Sequence, residues 1–252
     1  MYAGSRIAVV VPAYNEADKI ERTLHSVPAF VDHVIVIDDA SVDNTGSLAM
    51  AFVRLGLEVI VHEKNSGVGA ALATGYQRAF ELCVDVTAVM AGDSQMDPDD
   101  LPALIQAVVD GADYAKGNRF TTPGVWRVMP FSRYVGNVAL SYFTRVCSGL
   151  WHVFDSQCGY TALSRNGLQT LLSQPLYPRY GYPNDVLVRM ASAGANVVDV
   201  PVRAVYGAAW RSGIQPWRVA WPITRLLVRG GMKRVWRRWA ASPQAHALLS
   251  DQ

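Results

Sequence analysis

The stretch that decides the fold is residues 6–41, RIAVVVPAYNEADKIERTLHSVPAFVDHVIVIDDAS. It begins with a continuous apolar run, RIAVVVPAY, which is typical of a strand buried on both faces. The next segment, NEADKIERTLHSV, repeats apolar residues at helical spacing behind Asn15, a residue type that caps helices. A second apolar run, HVIVIDDAS, then ends in two aspartates. Strand, helix and strand in this order predict a parallel α/β unit.

The same alternation continues along the chain. NTGSLAMAFVRLG predicts a helix ended by Gly56, LEVIVHEKN a third strand, GAALATGYQRAFEL a third helix and VTAVMAGDS a fourth strand. After residue 114 the pattern is less regular. DYAKGNRF and NVVDVPVRAVY predict strands, and SRYVGNVALSYFTRVC, LSRNGLQTLL and NDVLVRMASAG predict helices. We therefore predict an α/β fold, a Rossmann-like and mainly parallel sheet flanked by helices.

The composition suits a folded protein with an uneven charge distribution. Of 252 residues, 50% are hydrophobic and 17% are charged, which argues against disorder. Residues 1–200 hold 14 Lys and Arg against 20 Asp and Glu, a net charge of 14 − 20 = −6, whereas residues 201–250 hold 9 Lys and Arg and no acid. This predicts a domain at 1–210 and a basic tail at 211–252 that faces phospholipid, nucleic acid or a phosphorylated substrate.

Cysteines and apolar runs bear on the compartment. The three cysteines are widely spaced without a zinc-like pairing, which favours reduced cytosolic thiols. The N-terminal residues reach charged positions too soon for a signal peptide. No uninterrupted apolar run approaches the ~18–20 residues of a transmembrane helix. The sequence thus predicts a cytoplasmic chain that does not span a membrane by itself.

The tail has an amphipathic helical pattern. One side of the helical wheel gathers apolar residues beside an arc of cations, and these apolar residues are Trp217, Trp221, Val228, Met232, Val235 and Trp239. Tryptophans beside cations suit an anionic membrane interface. The alternative is a helix packed on the domain or on a partner in a homo-oligomer, because amphipathic spacing alone does not distinguish these cases. Pro222 and Gly230–Gly231 predict two short helices instead of one.

Polar side chains follow the predicted strands where ligands of parallel sheets bind, beyond the carboxyl ends. They are Tyr14, Asp38, Asp39, Asn65 and Asp93. Only one of the adjacent aspartates can cap the following helix, so the other could accept hydrogen bonds from a base or a ribose. The convergence of these residues on one edge is the strongest physical sign of a binding site.

Residues 88–101, AVMAGDSQMDPDDL, indicate a metal-binding loop. Many enzymes that hold a cation against a diphosphate place an Asp-x-Asp pair here, and this chain has Ala91 in the first position. Asp93 and Gln95 with two phosphate oxygens would still give Mg²⁺ or Mn²⁺ the hard ligands it prefers. Metal affinity is then expected to be weak without the nucleotide. Asp99 and Asp100 are most simply helix-capping charges.

Three further patterns leave alternatives open. NSGVGAAL offers either the amides of a helix N-terminus to an anion or a tight turn without a ligand, and it lacks the third glycine of a dinucleotide fingerprint. Arg119 and Arg133 could each be an ordinary surface charge. Asp185 opens a predicted helix for which Asn184 is the better cap, which leaves its carboxylate available.

Taken together, the motifs resemble the family 2 glycosyltransferases of GT-A fold, most closely the polyprenyl-phosphate sugar synthases of the dolichol-phosphate mannose synthase type. The motifs that carry the resemblance span residues 6–206 and are VVVPAYNEADKI, VIDDASVDNTG, NSGVGAALATGY, AGDSQMDPDDL, KGNRF, DSQCGYTALSR and GYPNDVLVRM. The resemblance implies an inverting transfer of a hexose from a GDP- or UDP-linked donor, with Mg²⁺ or Mn²⁺ as cofactor.

The resemblance also implies roles for individual residues. The nucleotide sugar would contact Pro12, Tyr14, Asn15, Glu16, Asp38, Asp39, Ser41, Asn65, Gly67, Gly69 and Asp93. Asp39 would contact the base, and Asp93 with Gln95 would hold the metal. In members that use lipid phosphates, the acceptor phosphate is bound at the positions of Arg119, Arg133, Asn137 and, more loosely, Arg211. Asp185 matches the base of members with hydroxyl acceptors, so Asp185, Arg119 and Arg133 are the candidate catalytic residues.

Three functions remain open from the sequence. The first is transfer to a dolichyl or undecaprenyl phosphate by a cytoplasmic protein bound to the inner face of the membrane. The second is transfer to a hydroxyl of a glycan or small molecule, and the third, motivated by Ala91, is non-catalytic binding of a nucleotide sugar. Nucleic-acid binding is not expected, because the tail lacks a recognisable nucleic-acid fold.

Overall fold

The structure is a computed structural model that describes residues 1–203, 205 and 221–232. A seven-stranded sheet forms its centre, in the spatial order β3-β2-β1-β4-β6-β5-β7. The strands are β1 (Ile7–Ala13), β2 (His33–Asp38), β3 (Leu57–Val61), β4 (Val86–Val89), β5 (Tyr114–Asn118), β6 (Thr161–Ser164) and β7 (Val197–Pro201).

Helices connect the strands and cover both faces of the sheet. The α-helices are α1 (Ile20–Ser26), α2 (Thr45–Ala51), α3 (Val68–Glu81), α4 (Leu101–Val109), α5 (Val125–Val128), α6 (Phe131–Ser148), α7 (Arg165–Leu172) and α8 (Tyr182–Ala193). Two short 3-10 helices lie at Pro98–Asp100 and Arg119–Thr121. Residues 221–232 are also helical.

The sheet is mainly parallel, as predicted. β1 pairs in parallel with β2 and β4, β2 with β3, and β5 with β7. β6 runs antiparallel to both β4 and β5, and the sequence did not indicate this strand. Since β4 and β5 are each antiparallel to β6, they point the same way, and the carboxyl ends of β4, β5 and β7 meet at one edge.

The core lies on both faces of the sheet. In β1, Ile7, Val9 and Val11 join one apolar cluster, and Ala8 and Val10 join the other. Each fully buried Val or Ile side chain stabilises the fold by about 1.5–3 kcal/mol. This two-sided burial is the physical reason that the sequence shows a continuous apolar run here instead of an alternating one.

Two predicted helix boundaries are wrong. Helix α1 begins at Ile20, because Asn15 has a positive φ of 55° and its Oδ1 accepts a hydrogen bond from the Val42 amide at 2.9 Å. Asn15 therefore ties the turn after β1 to the turn after β2 instead of capping a helix. Helix α2 ends at Ala51, five residues before Gly56, and the backbone leaves helical geometry at Phe52.

Part of the tail is docked on the domain. Ile223 and Leu227 are buried in a cluster with Val188 of α8. The expected break at Gly230 does not occur, because residues 221–232 form one continuous helix. A Cβ on Gly230 would lie 2.3 Å from Val188 Cγ1, so the glycine permits the close approach of this helix to α8.

The remaining predictions for the tail lie outside the described residues. These include the boundary at residues 210–211 and the positions of Arg211, Trp217, Val235 and Trp239. Within the part of the chain that the structure describes, no helix is both long and apolar enough to cross a bilayer.

Candidate functional site

A cavity of about 760 Å³ opens at the carboxyl ends of β4, β5 and β7. Five residues predicted for the metal and acceptor sites line it together: Asp93, Gln95, Arg119, Arg133 and Asn137. They come from the loop after β4, the end of β5 and the first two turns of α6. Among the described lining residues there are three arginines, the third being Arg203, and one acidic residue, Asp93. The cavity is therefore suited to an anionic ligand.

Asp93 sits on a loop fixed against the end of β1. The Gly92 amide donates to the Pro12 carbonyl at 3.1 Å, and Thr23 Oγ1 donates to the Gly92 carbonyl at 3.1 Å. Burial raises the pKa of Asp93, although the Gln95 amide bonded to it and the nearby charges of Lys19 and Arg133 act in the opposite direction. A buried carboxylate of this kind is stabilised when a cation binds beside it.

The donor atoms at this loop fit a hard cation only in part. Asp93 and Gln95 supply oxygen ligands of the type that Mg²⁺ and Mn²⁺ take. Among residues 1–203, 205 and 221–232, no group of three or more His, Cys, Asp or Glu side chains is placed to hold a metal. Ala91 contributes no oxygen ligand from its side chain, and its amide instead donates to Met96 Sδ at 3.3 Å. The coordination shell of the metal ion is complete only if phosphate oxygens and water occupy the remaining ligand positions.

Glu16 lies within electrostatic reach of Asp93. Burial raises the pKa of Glu16, the charge of Asp93 raises it further, and the ion pair with Lys19 at 2.7 Å opposes both effects. Tyr14 is 44% exposed beside it, on the same sheet edge. The end of β1 thus adjoins the cavity without lining it, where the predicted donor site would continue.

Asp38 and Asp39 are both buried in the turn after β2. Asp38 accepts hydrogen bonds from the amide and hydroxyl of Ser41.

Asp39 accepts hydrogen bonds from His62 Nδ1 at 2.8 Å and from the amides of Ser66 at 2.9 Å and Gly67 at 2.7 Å. An ionised carboxylate offers about four acceptor positions, so Asp39 has little capacity left for a base. Its contact with the nucleotide stays a prediction, whereas its bonds to the loop after β3 are observed. Asn65, also predicted for the nucleotide, lies within this loop, directly before Ser66.

Three amides at the glycine loop before α3 are bonded within the protein. The Gly67 amide donates to Asp39, and the amides of Gly69 and Ala70 donate to the Pro178 carbonyl at 2.9 and 3.1 Å. A Cβ on Gly69 would lie 2.0 Å from the Tyr177 carbonyl oxygen. Of the two alternatives left open by the sequence, these bonds favour the tight turn for the amides of Gly67, Gly69 and Ala70. Gly69 allows the 177–178 segment to pack on α3.

Arg119 is held by Asp155, a residue that sequence reasoning did not single out. Arg119 Nε lies 2.7 Å from Asp155 Oδ2, and Nη2 lies 3.0 Å from Oδ1. Asp155 is fully buried, and burial alone would raise its pKa. The adjacent Arg119 and Lys116 charges outweigh that effect and hold the pKa of Asp155 below its usual value. The sequence signal was present in the DSQCGY motif.

Lys116 lies behind this ion pair. Its side chain is fully buried and donates to the Cys158 carbonyl. Burial lowers the pKa of Lys116, and the negative charge of Asp155 acts in the opposite direction. A buried lysine and a buried ion pair thus support the wall of the cavity from which Arg119 projects.

Arg133 and Asn137 project into the cavity from successive turns of α6. Arg133 lines the same cavity as Asp93, and its charge opposes the rise that burial causes in the pKa of Asp93. Asn137 Nδ2 contacts Met129 Sδ at 3.7 Å. The structure thus places Arg133 near both the candidate metal loop and Arg119, as the predicted acceptor site requires.

Asp185 lies away from this cavity. It lines a second cavity of about 650 Å³ between α7, α8 and helix 221–232. Its Oδ2 pairs with Arg189 at 2.7 Å and accepts the Tyr177 amide at 2.8 Å. This placement of Asp185 gives it a structural role and offers no support for it as a base.

Asn184 does not cap α8, which begins after Gly181. The Asn184 Oδ1 instead accepts hydrogen bonds from Thr144 and Gln157.

Arg203 is a second residue that the sequence did not reveal. It follows β7 and forms ion pairs with Asp97 at 3.1 Å, Asp99 at 3.6 Å and Asp100 at 3.0 Å. Asp99 and Asp100 lie at the start of the helical segment, as predicted for capping charges, with Asp100 at the N-cap position of α4. The side-chain cap itself is made by Asp97, which accepts from the Asp99 amide. Arg203 therefore anchors the loop that carries Asp93 to the end of β7.

Comparisons with known proteins agree with this geometry. Residues 8–172 match the model of the family described as "Glycosyl transferase family 2". The chain is 31% identical over 220 residues to a UDP-N-acetylglucosamine–dolichyl-phosphate N-acetylglucosaminyltransferase of Methanococcus voltae, covering 81% of this chain and 87% of that one. It is 31% identical over 205 residues to a polyprenol monophosphomannose synthase of Mycolicibacterium smegmatis, covering 78% and 76%.

A solved structure shows the same fold. It is glucosyl-3-phosphoglycerate synthase of Mycobacterium tuberculosis, in a complex with Mn²⁺, UDP and glucosyl-3-phosphoglycerate. The TM-score is 0.64 at 24% identity, over 92% of this chain and 80% of that one. The predicted GT-A type of fold is thereby confirmed. With the family model spanning more than half of its residues, the chain belongs to glycosyl transferase family 2.

Proposed function

We propose that this protein transfers a hexose from a GDP- or UDP-linked donor to a polyprenyl phosphate, with inversion at the anomeric carbon. The observation that carries the proposal is the pair Arg119 and Arg133 in one cavity with Asp93 and Gln95. Two cations beside a metal loop suit an acceptor phosphate next to a leaving diphosphate. The named activities of the relatives from Methanococcus voltae and Mycolicibacterium smegmatis support the lipid acceptor.

A phosphate acceptor explains why the cavity needs no base. A phosphate monoester is largely ionised near neutral pH and can attack without losing a proton to the protein. A hydroxyl acceptor would need a general base within about 3 Å of its proton. Asp93 is the one acidic residue among the described lining residues and lies at the candidate metal position, while Asp185 lines another cavity.

In this proposal the donor lies along the ends of β1 to β4. Asp93 and Gln95 would hold a Mg²⁺ or Mn²⁺ ion, which when bound supplies positive charge to the leaving diphosphate. The Mn²⁺ and UDP in the solved structure of glucosyl-3-phosphoglycerate synthase support this arrangement. Pro12, Tyr14 and Glu16 would line the nucleotide from the adjoining strand end.

The acceptor side is formed by the protein's own cations and apolar walls. Arg119, fixed by Asp155, and Arg133 would bind the acceptor phosphate through charge-assisted hydrogen bonds and orient one oxygen toward the anomeric carbon. Tyr180 and Leu140 also line the cavity and would exclude the water that competes with the acceptor.

The proposed place of action is the cytoplasmic face of a membrane. The acceptor is a lipid, and the described helix 221–232 exposes Trp221 beside Arg225 and Arg229. An aromatic side chain beside cations suits an anionic interface.

The test is transfer from radiolabelled GDP- and UDP-sugars to polyprenyl phosphate and to the matching polyprenol, with Mn²⁺ or Mg²⁺ and with EDTA. We expect labelled lipid only with the phosphate and the metal. Label on the polyprenol or on a glycan hydroxyl would support the second function open from the sequence. Tight nucleotide-sugar binding without turnover on any acceptor would support a non-catalytic binder.

A further inference from the structure

The outer face of α6 is an exposed apolar stripe. At 100° per residue, five apolar side chains of this helix fall within an arc of about 80°. They are Phe131, Val135, Val138, Tyr142 and Val146, and they form what we term the α6 apolar surface. All five are exposed, Phe131 to 76% and Tyr142 to 60%. An exposed contiguous apolar stripe of this kind marks an interaction site.

The opposite face of the same helix belongs to the protein interior. Arg133 and Asn137 line the acceptor cavity, and Phe143 and Cys147 pack on helix 221–232 and α8. A single helix therefore separates the cavity from the α6 apolar surface. A lipid whose phosphate occupies the cavity would have its apolar tail leave close to this surface.

Arginines accompany the exposed aromatic rings beside the α6 apolar surface. Between Asp113 and Asp155 the chain has no acidic residue, and of its five cations Lys116 is buried and Arg119 and Arg133 line the cavity, which leaves Arg127 and Arg145 on the outside. Aromatic rings accompany two of these cations, because Arg127 lies 4.7 Å from the Trp126 ring centre and Arg145 lies 5.6 Å from that of Trp151. Trp126 and Trp151 are both more than half exposed, and the Trp151 ring contacts that of Tyr142 edge-on.

These charges favour a bilayer over a second copy of the chain. A twofold dimer through this face would bring the same arginines against each other without a carboxylate between them, which disfavours the contact. Anionic headgroups complement the arginines, and the apolar side chains can enter the boundary between headgroups and acyl chains. Helix 221–232 packs on the inner side of α6 and presents Trp221 and Arg225 to solvent, which extends the same kind of surface.

We propose that the α6 apolar surface is the membrane-contact surface of this protein and brings the acceptor cavity against an anionic bilayer. The proposal rests on the proposed function, because it specifies how the lipid acceptor reaches Arg119 and Arg133. It differs from the expectation drawn from the tail, since it assigns binding to a helix within the glycosyltransferase domain.

The experiment is vesicle flotation of the full chain with phosphatidylcholine vesicles, with and without phosphatidylglycerol. The triple variant Phe131→Gln, Val135→Gln, Tyr142→Gln is expected to bind the anionic vesicles at least tenfold more weakly than wild type. The control Val53→Gln, Leu55→Gln changes two side chains that are each 97% exposed, and it should bind like wild type. Arg127→Gln should weaken binding roughly fivefold, and only to vesicles that contain phosphatidylglycerol.

Activity separates this inference from the proposed function. Transfer to polyprenyl phosphate in anionic vesicles should fall with vesicle binding in the triple variant, whereas turnover of a short, water-soluble isoprenyl phosphate should stay at the wild-type rate. If wild type uses neither acceptor, the proposed function fails while the flotation result still tests the membrane surface. Equal flotation of wild type and the triple variant would overturn the inference. So would a dimer in sedimentation that the triple variant abolishes.

Discussion

Both carboxylate oxygens of the buried Asp155 bind the guanidinium of Arg119, with Nε 2.7 Å from Oδ2 and Nη2 3.0 Å from Oδ1. This fork fixes the plane and direction of the guanidinium, which a single hydrogen bond would not do. Arg119 thus reaches the acceptor cavity as a preorganised donor. Asp155 does not line the cavity among the described residues and acts there through Arg119, as a positioning residue.

Asp155→Asn should impair acceptor use more than donor use. The amide can keep one hydrogen bond to Arg119, but it loses the charge that balances a guanidinium that is only 13% exposed. We expect kcat/KM for polyprenyl phosphate to fall at least tenfold, KM for the nucleotide sugar to stay within about twofold, and the free energy of unfolding to fall by about 2–4 kcal/mol. Steady-state kinetics in which each substrate is varied in turn measure the kinetic changes, and urea unfolding measures the change in free energy.

A matched control for that variant is Glu58→Gln, which breaks the exposed ion pair of Glu58 with Arg78. It should change the free energy of unfolding by less than about 1 kcal/mol and leave both KM values unchanged. If Asp155→Asn raised the donor KM and left acceptor kinetics intact, the positioning role of Asp155 would be refuted.

Metal binding should depend on pH through Asp93. Burial raises the pKa of this carboxyl above its ordinary value of 3.8, and a divalent cation binds only the ionised form. The Mn²⁺ affinity measured in the presence of nucleoside diphosphate should therefore weaken as pH falls, beginning at a higher pH than for an ordinary aspartate. Asp93→Asn should reduce this pH dependence to that of the nucleotide's own phosphates and lower the affinity by at least tenfold. Titration calorimetry across the pH range tests both, and a flat profile for wild type speaks against Asp93 as a ligand.

Gly69→Ala should destabilise the fold through packing of the 177–178 segment. The added Cβ would lie 2.0 Å from the Tyr177 carbonyl oxygen and 3.0 Å from Tyr182 Cβ, so the segment or α3 must move. We expect the free energy of unfolding to fall by about 1–3 kcal/mol. Gly136→Ala is the matched control, because nothing lies within 4 Å of its Cβ position on α6 and alanine should stabilise the helix by about 0.5–1 kcal/mol. Equal effects of the two substitutions in urea unfolding would contradict the packing role.

Asp199 should make stability fall as pH rises. Burial raises its pKa from 3.8 to about 6, so the folded state keeps a proton that the unfolded state has already released. Ionisation of the folded protein therefore lowers stability between these two pH values, and the loss is complete above about pH 6. Asp199→Asn removes this titration, and its stability relative to wild type should rise by about 1–2 kcal/mol from acidic to neutral pH. Thermal unfolding of both proteins across this range measures the difference, and parallel curves would contradict it.

The strands that could be predicted are those that leave a local pattern in the sequence. The strands β1 and β2 were recognised because burial on both faces leaves a continuous apolar run. The four-residue strand β6 was missed because Thr161–Ser164 is short and runs directly into α7, so no local period distinguishes it. Its pairing with β4 and β5 is a tertiary property.

The site residues also fall into two groups, those that a local pattern predicts and those whose role depends on a partner distant in the sequence. Asp93 and Arg119 follow strands, and their place at the sheet edge could be predicted from topology and family resemblance. Asp155 could not be assigned a role, because its partner Arg119 is 36 residues away and the pairing exists only in the fold. For the same reason the sequence left open whether the glycine loop binds an anion, whereas in the fold the amide of Gly69 donates to the carbonyl of Pro178.

The measurement that tests the central claim most directly compares Arg133→Ala with Asp185→Asn in transfer to polyprenyl phosphate. If the acceptor is a phosphate bound by Arg119 and Arg133, Arg133→Ala should lower kcat/KM for the acceptor by about 100-fold. Asp185→Asn should lower it by less than about threefold and act mainly on stability, since Asp185 pairs with Arg189 outside the cavity. The opposite order, with Asp185→Asn inactive and Arg133→Ala near wild type, would contradict the account and favour a hydroxyl acceptor.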